Sequence, residues 1–236
     1  MSLPIAVLAG GLGTRLRPIT ERIPKVLVEL AGKPFAVHQI ELLRSQGITE
    51  FVFCVGHMGG KVEAALGDGS LWGVHLNYIF DGPYPLGTGG ALRKALPLLG
   101  KAFFVMYGDS YLECDYTDIE QTFWANGKQG LMTIYRNNDR WDRSNILFSH
   151  GRILCYDKKH YIPDMQHIDY GLGVFQAEAL DIYPADQPFD LAEVYKDLIN
   201  RDQLLGYEVT HRFYEIGSPS GLEETERYLS KKATGH

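Results

Sequence analysis

Two hydrophobic rhythms alternate along the first half of the chain. One is a short run of consecutive apolar residues, and the other a longer stretch in which apolar positions recur every three or four residues. The first suits strands buried on both faces, and the second suits helices with one inward stripe. Residues 5–8 form the first apolar run and open directly into a glycine loop. Pro34 fits a first helical turn, where an amide has no partner to lose. Phe35, Val37, Ile40 and Leu43 then share a face, and Gly47 stops the helix. Further strands are predicted at 51–55, 74–80 and 102–107, and helices at 61–66, ending at Gly67, and 88–98. Strands alternating with helices imply a parallel sheet covered on both sides.

The second half has a different pattern. Residues 131–135 and 172–175 read as strands, and 191–199 as a helix. Residues 145–148 and 153–156 flank His150-Gly151, which suits a two-residue hairpin turn. Ser218 followed by Pro219 supplies a cap and first turn for a C-terminal helix reaching about Leu229. The predicted fold is α/β: a Rossmann-like, mostly parallel sheet sandwiched by helices, with a small antiparallel insertion near residues 136–170. No repeat, low-complexity tract or linker divides the chain, so residues 1–236 are expected to form one domain.

Composition narrows the function. The 236 residues are 45% hydrophobic, enough for one well-covered core, and the formal net charge of −6 argues against a broad nucleic-acid footprint. Any phosphate must be held by a few focused cations and backbone amides. Cys54, Cys114 and Cys155 lie far apart, with neither metal-ligand spacing nor a disulfide framework, which fits a reducing cytoplasm. Cys54 sits inside the run 51–55 and reads as a small buried hydrophobe. No segment is long and apolar enough for a bilayer, and no basic stretch precedes the first apolar run as in a signal peptide. No membrane or nucleic-acid partner is expected. Met1-Ser2-Leu3 and Thr234-Gly235-His236 are given no functional weight.

The most informative stretch runs Leu8-Ala9-Gly10-Gly11-Leu12-Gly13-Thr14-Arg15-Leu16-Arg17-Pro18-Ile19-Thr20, followed by Pro24-Lys25. Three glycines in four positions let the backbone turn sharply and aim N–H groups at an anion. Arg15 and Lys25 add positive charge, and an arginine can grip phosphate oxygens at two points. The competing reading is a tight surface turn. Leu16 occupies the third glycine position of the dinucleotide fingerprint, and no Gly-Lys-Ser/Thr follows, so neither a nicotinamide-dependent dehydrogenase nor a P-loop is indicated.

Gly10-Gly11-Leu12-Gly13-Thr14-Arg15-Leu16 with Pro24-Lys25 resembles the signature of the sugar-1-phosphate nucleotidyltransferases, and the similarity extends from Ile5 to about Leu229. The resemblance implies a loop wrapped around a nucleoside triphosphate by Leu8, Gly10, Gly11, Gly13 and Thr14. It gives Arg15 and Lys25 the charge on the departing pyrophosphate and the attacked phosphorus. Leu86-Gly87-Thr88-Gly89-Gly90-Ala91 is similar to the family segment holding base and ribose, which assigns Gly87, Thr88 and Gly89 to the nucleotide; read alone, it is equally a helix cap with glycines for packing. Gly108-Asp109 ends a predicted strand, where open α/β sheets bind ligands, and the resemblance makes Asp109 a Mg²⁺ ligand. The family's second acidic ligand falls at Glu215 in Tyr214-Glu215-Ile216-Gly217-Ser218-Pro219, where Asp is usual.

The lysine that binds the sugar phosphate in the family matches Lys158, although a lysine beside an aspartate is also an ordinary surface pair. The family's Asn before the sugar-lining strand is missing from His167-Ile168-Asp169-Tyr170-Gly171, so Asp169 and Tyr170 are expected to meet the sugar hydroxyls instead. Trp72 and Trp124 read as packing residues and Trp141 as a candidate for the sugar cleft. The histidines have no metal spacing. No nucleophile stands beside a base. Residues 1–135 are thus expected to serve mainly the nucleotide, 136–212 the sugar phosphate, and 213–236 the second metal ligand and last helix. The implied reaction joins a nucleoside triphosphate to a sugar 1-phosphate and releases pyrophosphate. The chain looks most like bacterial heptose-1-phosphate guanylyltransferases, which implies GTP; mannose-1-phosphate guanylyltransferases and N-acetylmuramate-1-phosphate uridylyltransferases are close rivals. A non-catalytic scaffold subunit is the rival of another class, kept alive by Glu215. The resemblance also implies a homo-oligomer, and it leaves no long C-terminal extension of the β-helix kind.

Overall fold

The computed structural model describes residues 2–160, 162–185 and 187–234, so Met1, Gly235 and His236 lie outside the described residues. In chain order the elements are β1 (Ile5–Ala9), β2 (Glu29–Leu30), β3 (Lys33–Pro34), α1 (Phe35–Ser45), β4 (Glu50–Val55), α2 (Gly59–Leu66) and β5 (His75–Phe80). They continue with α3 (Gly87–Leu99), β6 (Ala102–Tyr107), β7 (Ser110–Tyr111), α4 (Tyr116–Asn126), β8 (Gly130–Arg136), β9 (Ile146–Ser149) and β10 (Arg152–Tyr156). The last are β11 (His167–Gln176), α5 (Glu178–Asp181), α6 (Leu191–Asn200), β12 (Leu204–Val209), β13 (Tyr214–Glu215) and α7 (Pro219–Thr234).

Among the described residues β1, β4, β5 and β6 form a parallel set at one side of a nine-stranded sheet ordered β10-β9-β11-β6-β1-β4-β5, with β8 pairing both β11 and β12. Alternation along each strand sends successive side chains to opposite layers. Ile5 and Val7 face one core with residues of α1, α2 and α4, whereas Ala6 faces a second core with α3, α5 and α6. This is the helix-covered α/β sheet expected from the sequence. A smaller cluster, Leu30, Phe35, Tyr111, Ile216 and Leu229, seats α7.

The antiparallel part extends the main sheet. The long β11 runs antiparallel to β6 and β8, and at its start His167 pairs with Ile146 of the β9–β10 hairpin, which continues the sheet where β6 has ended. His150 and Gly151 turn that hairpin with φ of 50° and 76°, the positive values a tight two-residue turn requires. β12 returns parallel to β8. The sequence prediction has no counterpart for α4 and β12, nor for the short elements β2, β3, β7, α5 and β13. α4 is capped by Asp115, which accepts from the Asp118 amide at 2.9 Å, and closed by Gly127 at φ 63°.

Candidate active site

The carboxyl ends of β1, β4, β5 and β6 meet on one edge, and the segments leaving them are built for close approach. The Gly108 amide donates to Leu8 O at 2.9 Å, and a Cβ on Gly108 would stand 2.9 Å from that oxygen. A Cβ on Gly56 would stand 2.8 Å from both Gly10 O and an Asp81 oxygen. Gly13 takes φ 59°, and its carbonyl accepts from the Thr20 hydroxyl at 2.8 Å, which folds the loop back on itself. Gly11 differs from these, because a Cβ there would meet nothing within 4 Å. The protein's own packing does not require a glycine at that position, so its missing side chain leaves room for something else.

A cavity of about 320 Å³ opens over this edge, lined by Gly10, Gly11, Lys25, Asp81, Gly87 and Thr88 among others, with Leu8 and Cys54 in its wall. Beside it a cavity of about 570 Å³ is lined by Arg15, Trp141, Lys158, Asp169, Tyr170 and Glu215. Tyr107 and Asp109 line both, so the two cavities share a boundary at the end of β6. Most of the sequence-predicted residues are therefore divided between two adjoining spaces, whereas Gly13, Thr14 and Gly89 line neither. Thr14 lies exposed on the loop, in the short turn that also carries Arg15.

Charge is concentrated at the shared boundary. Lys25 Nζ lies 2.5 Å from Asp109 Oδ2. β7 and β13 pair antiparallel with Ser110 opposite Glu215, and the Ile216 amide donates to Asp109 O at 2.9 Å, which holds the two acidic segments side by side. A Cβ on Gly217 would stand 2.6 Å from Glu215 Oε2, 3.0 Å from an Arg15 guanidinium nitrogen and 3.1 Å from Asp109 Oδ2. Arg15, Asp109 and Glu215 thus converge on one point. Glu215 accepts from the Gly217 amide and from the Ser218 hydroxyl, so its longer side chain folds back onto the start of α7. Among the described residues no third His, Cys, Asp or Glu joins this pair into a larger ligand group. Mg²⁺ takes hard oxygens, often only one or two carboxylates together with waters and substrate phosphates, so this pair fits it.

The glycines of the second motif have a different geometry from their sequence reading. A Cβ on Gly89 would stand 2.3 Å from the Phe189 ring, and one on Gly90 2.6 Å from Gln187 O. The chain's own segment 187–190 occupies the space, and Phe189 O accepts from the Gly89 amide at 3.0 Å. Thr88 receives the Leu191 amide at 2.8 Å and donates to Asp190 at 3.1 Å, which ties the start of α3 to the start of α6. Gly87 and Thr88 still border the smaller cavity; Gly89 faces Phe189.

On the sugar side, Asp169 is enclosed. Its carboxylate accepts from the Tyr156 hydroxyl at 2.8 Å and from the Gly171 amide at 3.0 Å. Tyr170 borders the cavity but is almost fully buried, its ring packs edge-on against Phe213, and its hydroxyl points to Glu113 O at 3.4 Å. The Arg212 guanidinium lies 3.4 Å over the Trp141 ring.

Sequence reasoning missed Asp81. It directly follows β5, and Asp109 lies one residue further past β6, so the carboxyl-end rule applies to both. One of its carboxylate oxygens, Oδ1, is buried without a hydrogen-bond partner. Burial pushes its pKa above the ordinary aspartate value, an effect partly opposed by the Leu86 amide and the Lys94 ammonium.

A nucleotidyl transferase family model matches residues 5–145, the span that contains the glycine loop, Lys25, Asp81 and Asp109. The chain belongs to the nucleotidyl transferase family. This nucleotidyl transferase is 30% identical to the N-acetylmuramate α-1-phosphate uridylyltransferase of Neisseria meningitidis over 93% of its own length and 95% of that enzyme. It is 29% identical to the mannose-1-phosphate guanyltransferase of Schizosaccharomyces pombe over 95% of its length, but spans 64% of that longer protein. A Bacillus anthracis structure assigned as a glucose-1-phosphate thymidylyltransferase shares the fold with a TM-score of 0.87 at 20% identity, covering 97% of this chain and 96% of the other. HddC from Yersinia pseudotuberculosis does so with a TM-score of 0.81 at 23% identity, covering 96% and 99%. The protein is therefore an enzyme, a sugar-1-phosphate nucleotidyltransferase. The dehydrogenase and scaffold readings are set aside. No helix of the described residues is long and apolar enough to cross a membrane.

Proposed function

We propose that this enzyme uses GTP, transferring its guanylyl group to a sugar 1-phosphate in the cytoplasm, with heptose 1-phosphate as the first sugar to test. The observation that carries the base is the Asp81 carboxylate, which belongs to a residue lining the smaller cavity and has one oxygen buried without a hydrogen-bond partner. An ionised carboxylate only accepts hydrogen bonds. Guanine presents two adjacent donors on one edge, its ring N–H and its amino group. Uracil and thymine present one donor between two carbonyls, and adenine and cytosine set a donor beside an acceptor. A buried acceptor left without a partner costs on the order of 1–3 kcal/mol, and the Asp81 carboxylate turned toward the cavity would offer guanine one acceptor for each donor.

In the reaction the sugar-phosphate oxygen attacks the α-phosphorus, the bond to the β-phosphate breaks, and pyrophosphate leaves. The incoming oxygen is already anionic, so no general base is needed, and catalysis rests on positioning and electrostatics. The amides of Gly10, Gly11 and Gly13 with Thr14 cradle the triphosphate, and Leu8, Gly87 and Thr88 line the nucleoside. Arg15 and Lys25 spread the growing negative charge. Lys158 holds the sugar phosphate on the far side of the shared boundary. Asp109 and Glu215 would hold Mg²⁺, which when bound neutralises phosphate charge.

The rival base is uracil, favoured by the near-complete overlap with the Neisseria uridylyltransferase. Four nucleoside triphosphates tested against heptose, mannose and N-acetylmuramate 1-phosphates, scored for pyrophosphate, separate the two. GTP should lead, and Asp81→Asn, which offers one acceptor and one donor, should shift preference toward UTP. A wild-type preference for UTP, or a GTP preference unmoved by Asp81→Asn, would overturn the base assignment.

A further inference from the structure

Asp169 stands where the resembled family has a sugar-facing asparagine, yet its surroundings suit another task. Its side chain is only 5% exposed. Oδ1 accepts from the Gly171 amide at 3.0 Å and Oδ2 from the Tyr156 hydroxyl at 2.8 Å. Its backbone amide donates to the Asn145 side chain at 3.1 Å. The carboxylate is thus fixed by strand β11 itself and by the end of β10. Oδ2 also faces the Lys158 ammonium at 3.8 Å.

Lys158 is the exposed partner, 42% exposed at its side chain, with three donors on a four-carbon stem. Its ammonium lies 3.3 Å from the Tyr107 hydroxyl and 5.2 and 5.4 Å over the rings of Tyr107 and Tyr156. Tyr107 belongs to the wall common to both cavities. Carboxylate, hydroxyl and two ring faces together confine the charge beside the boundary where the two substrates must meet.

We propose that Asp169 is a positioning residue: it sets the place of the Lys158 ammonium by counter-charge and does not bind the sugar. The inference rests on Lys158 holding the sugar phosphate. An asparagine has the same shape but no charge, so it would leave the ammonium less neutralised and less confined. The phosphate would still be attracted, but it would be held out of line with the α-phosphorus. A misplacement of about 1 Å costs on the order of 10²-fold in rate. Asp169→Asn should therefore lower kcat by about tenfold or more while KM for the sugar 1-phosphate stays level or falls.

The test is a cycle of wild type, Asp169→Asn, Lys158→Ala and the double variant, with kcat and KM for the sugar 1-phosphate measured after thermal melts confirm folding. Once Lys158 is gone, Asp169→Asn should change nothing further. A raised KM with unchanged kcat would make Asp169 a sugar ligand and overturn the proposal. So would an undiminished effect of Asp169→Asn in the Lys158→Ala background. If Lys158→Ala alone left both constants at wild-type values, the sugar-phosphate role of Lys158 would fail first and this proposal with it. Should Asp169→Asn not fold, Asp169→Ser keeps an uncharged acceptor for the Gly171 amide and reads the same cycle.

Discussion

Lys25 is shared between a carboxylate and, in the proposed complex, a triphosphate. At 2.5 Å from Asp109 its ammonium already sits at the boundary of the two cavities, so little rearrangement is needed when charge builds on the leaving pyrophosphate. Removing one preorganised electrostatic group of this kind costs about 10²–10³ in kcat. Lys25→Ala should show that loss in steady-state pyrophosphate release; near-normal turnover would contradict the role. Two glycines make a sharper comparison, since the same methyl group should act on different things. Gly217→Ala would push its Cβ into Glu215, Arg15 and Asp109 together, so activity should collapse and the Mg²⁺ concentration needed for half-maximal rate should rise. Gly11→Ala meets no protein atom within 4 Å, so the melting temperature of the free enzyme should not change. Its KM for nucleotide should rise about tenfold, roughly 1.4 kcal/mol of binding, because the methyl intrudes on the phosphate. A melting point lowered by Gly11→Ala would mean that this glycine serves the fold. Gly11, Arg15 and Lys25 stand out in the sequence because glycine, arginine and lysine together have few other uses, and the structure sets Gly11 and Lys25 in one cavity wall and Arg15 in the adjoining one. Asp81 was hidden because Asp-Gly-Pro reads as an ordinary turn, and only burial without a partner distinguishes it.

At the scale of elements, α3 meets the segment before α6. Gly89 lies under Phe189, and Thr88 caps the same junction through Asp190 and Leu191. Gly89→Ala would set a methyl 2.3 Å from the Phe189 ring, and overpacking of this kind costs about 1–3 kcal/mol. Thermal unfolding should show a lower midpoint, and nucleotide KM should rise as a secondary effect, since Thr88 and Gly87 line the cavity one and two residues away. An unchanged midpoint would show that segment 187–190 yields freely and that the glycine is kept for the ligand. A run such as Gly-Thr-Gly-Gly cannot reveal from sequence whether a base or the chain itself fills the space. The elements themselves were predictable where the two rhythms were clean, as in β1, α1, β4, α3 and β6. α4 escaped because only Tyr116, Ile119 and Phe123 are buried in an otherwise polar stretch. β12 escaped because Gly206 interrupts it, and that glycine is required by the Phe148 ring, 2.8 Å from where its Cβ would be. The β7–β13 pairing, only two residues long on each side, has no periodicity to detect, yet it sets the spacing of Asp109 and Glu215.

For the whole molecule, the edge that binds is also an edge that costs stability. Asp81 is held where burial raises its pKa, and one of its oxygens is buried without a partner. The sign follows from proton linkage. A carboxyl whose folded pKa lies above its unfolded value binds its proton more tightly when folded, so folding loses stability as pH rises between the two values. Below the ordinary value of 3.8 the group is protonated in both states and costs nothing; above the raised folded value the penalty is complete. Asp81→Asn should therefore raise the melting temperature at neutral pH, and the advantage should shrink to nothing as pH falls below 3.8. Saturating GTP should reverse the order. A ligand at a hundredfold its Kd stabilises by about 2.7 kcal/mol, and the wild type alone offers guanine two acceptors. Melting curves for both proteins, with and without GTP, at neutral and acid pH, decide the matter. Were Asp81→Asn less stable than wild type at neutral pH without nucleotide, the carboxylate would be a structural contact, and its place in the cavity wall would carry no information about the base.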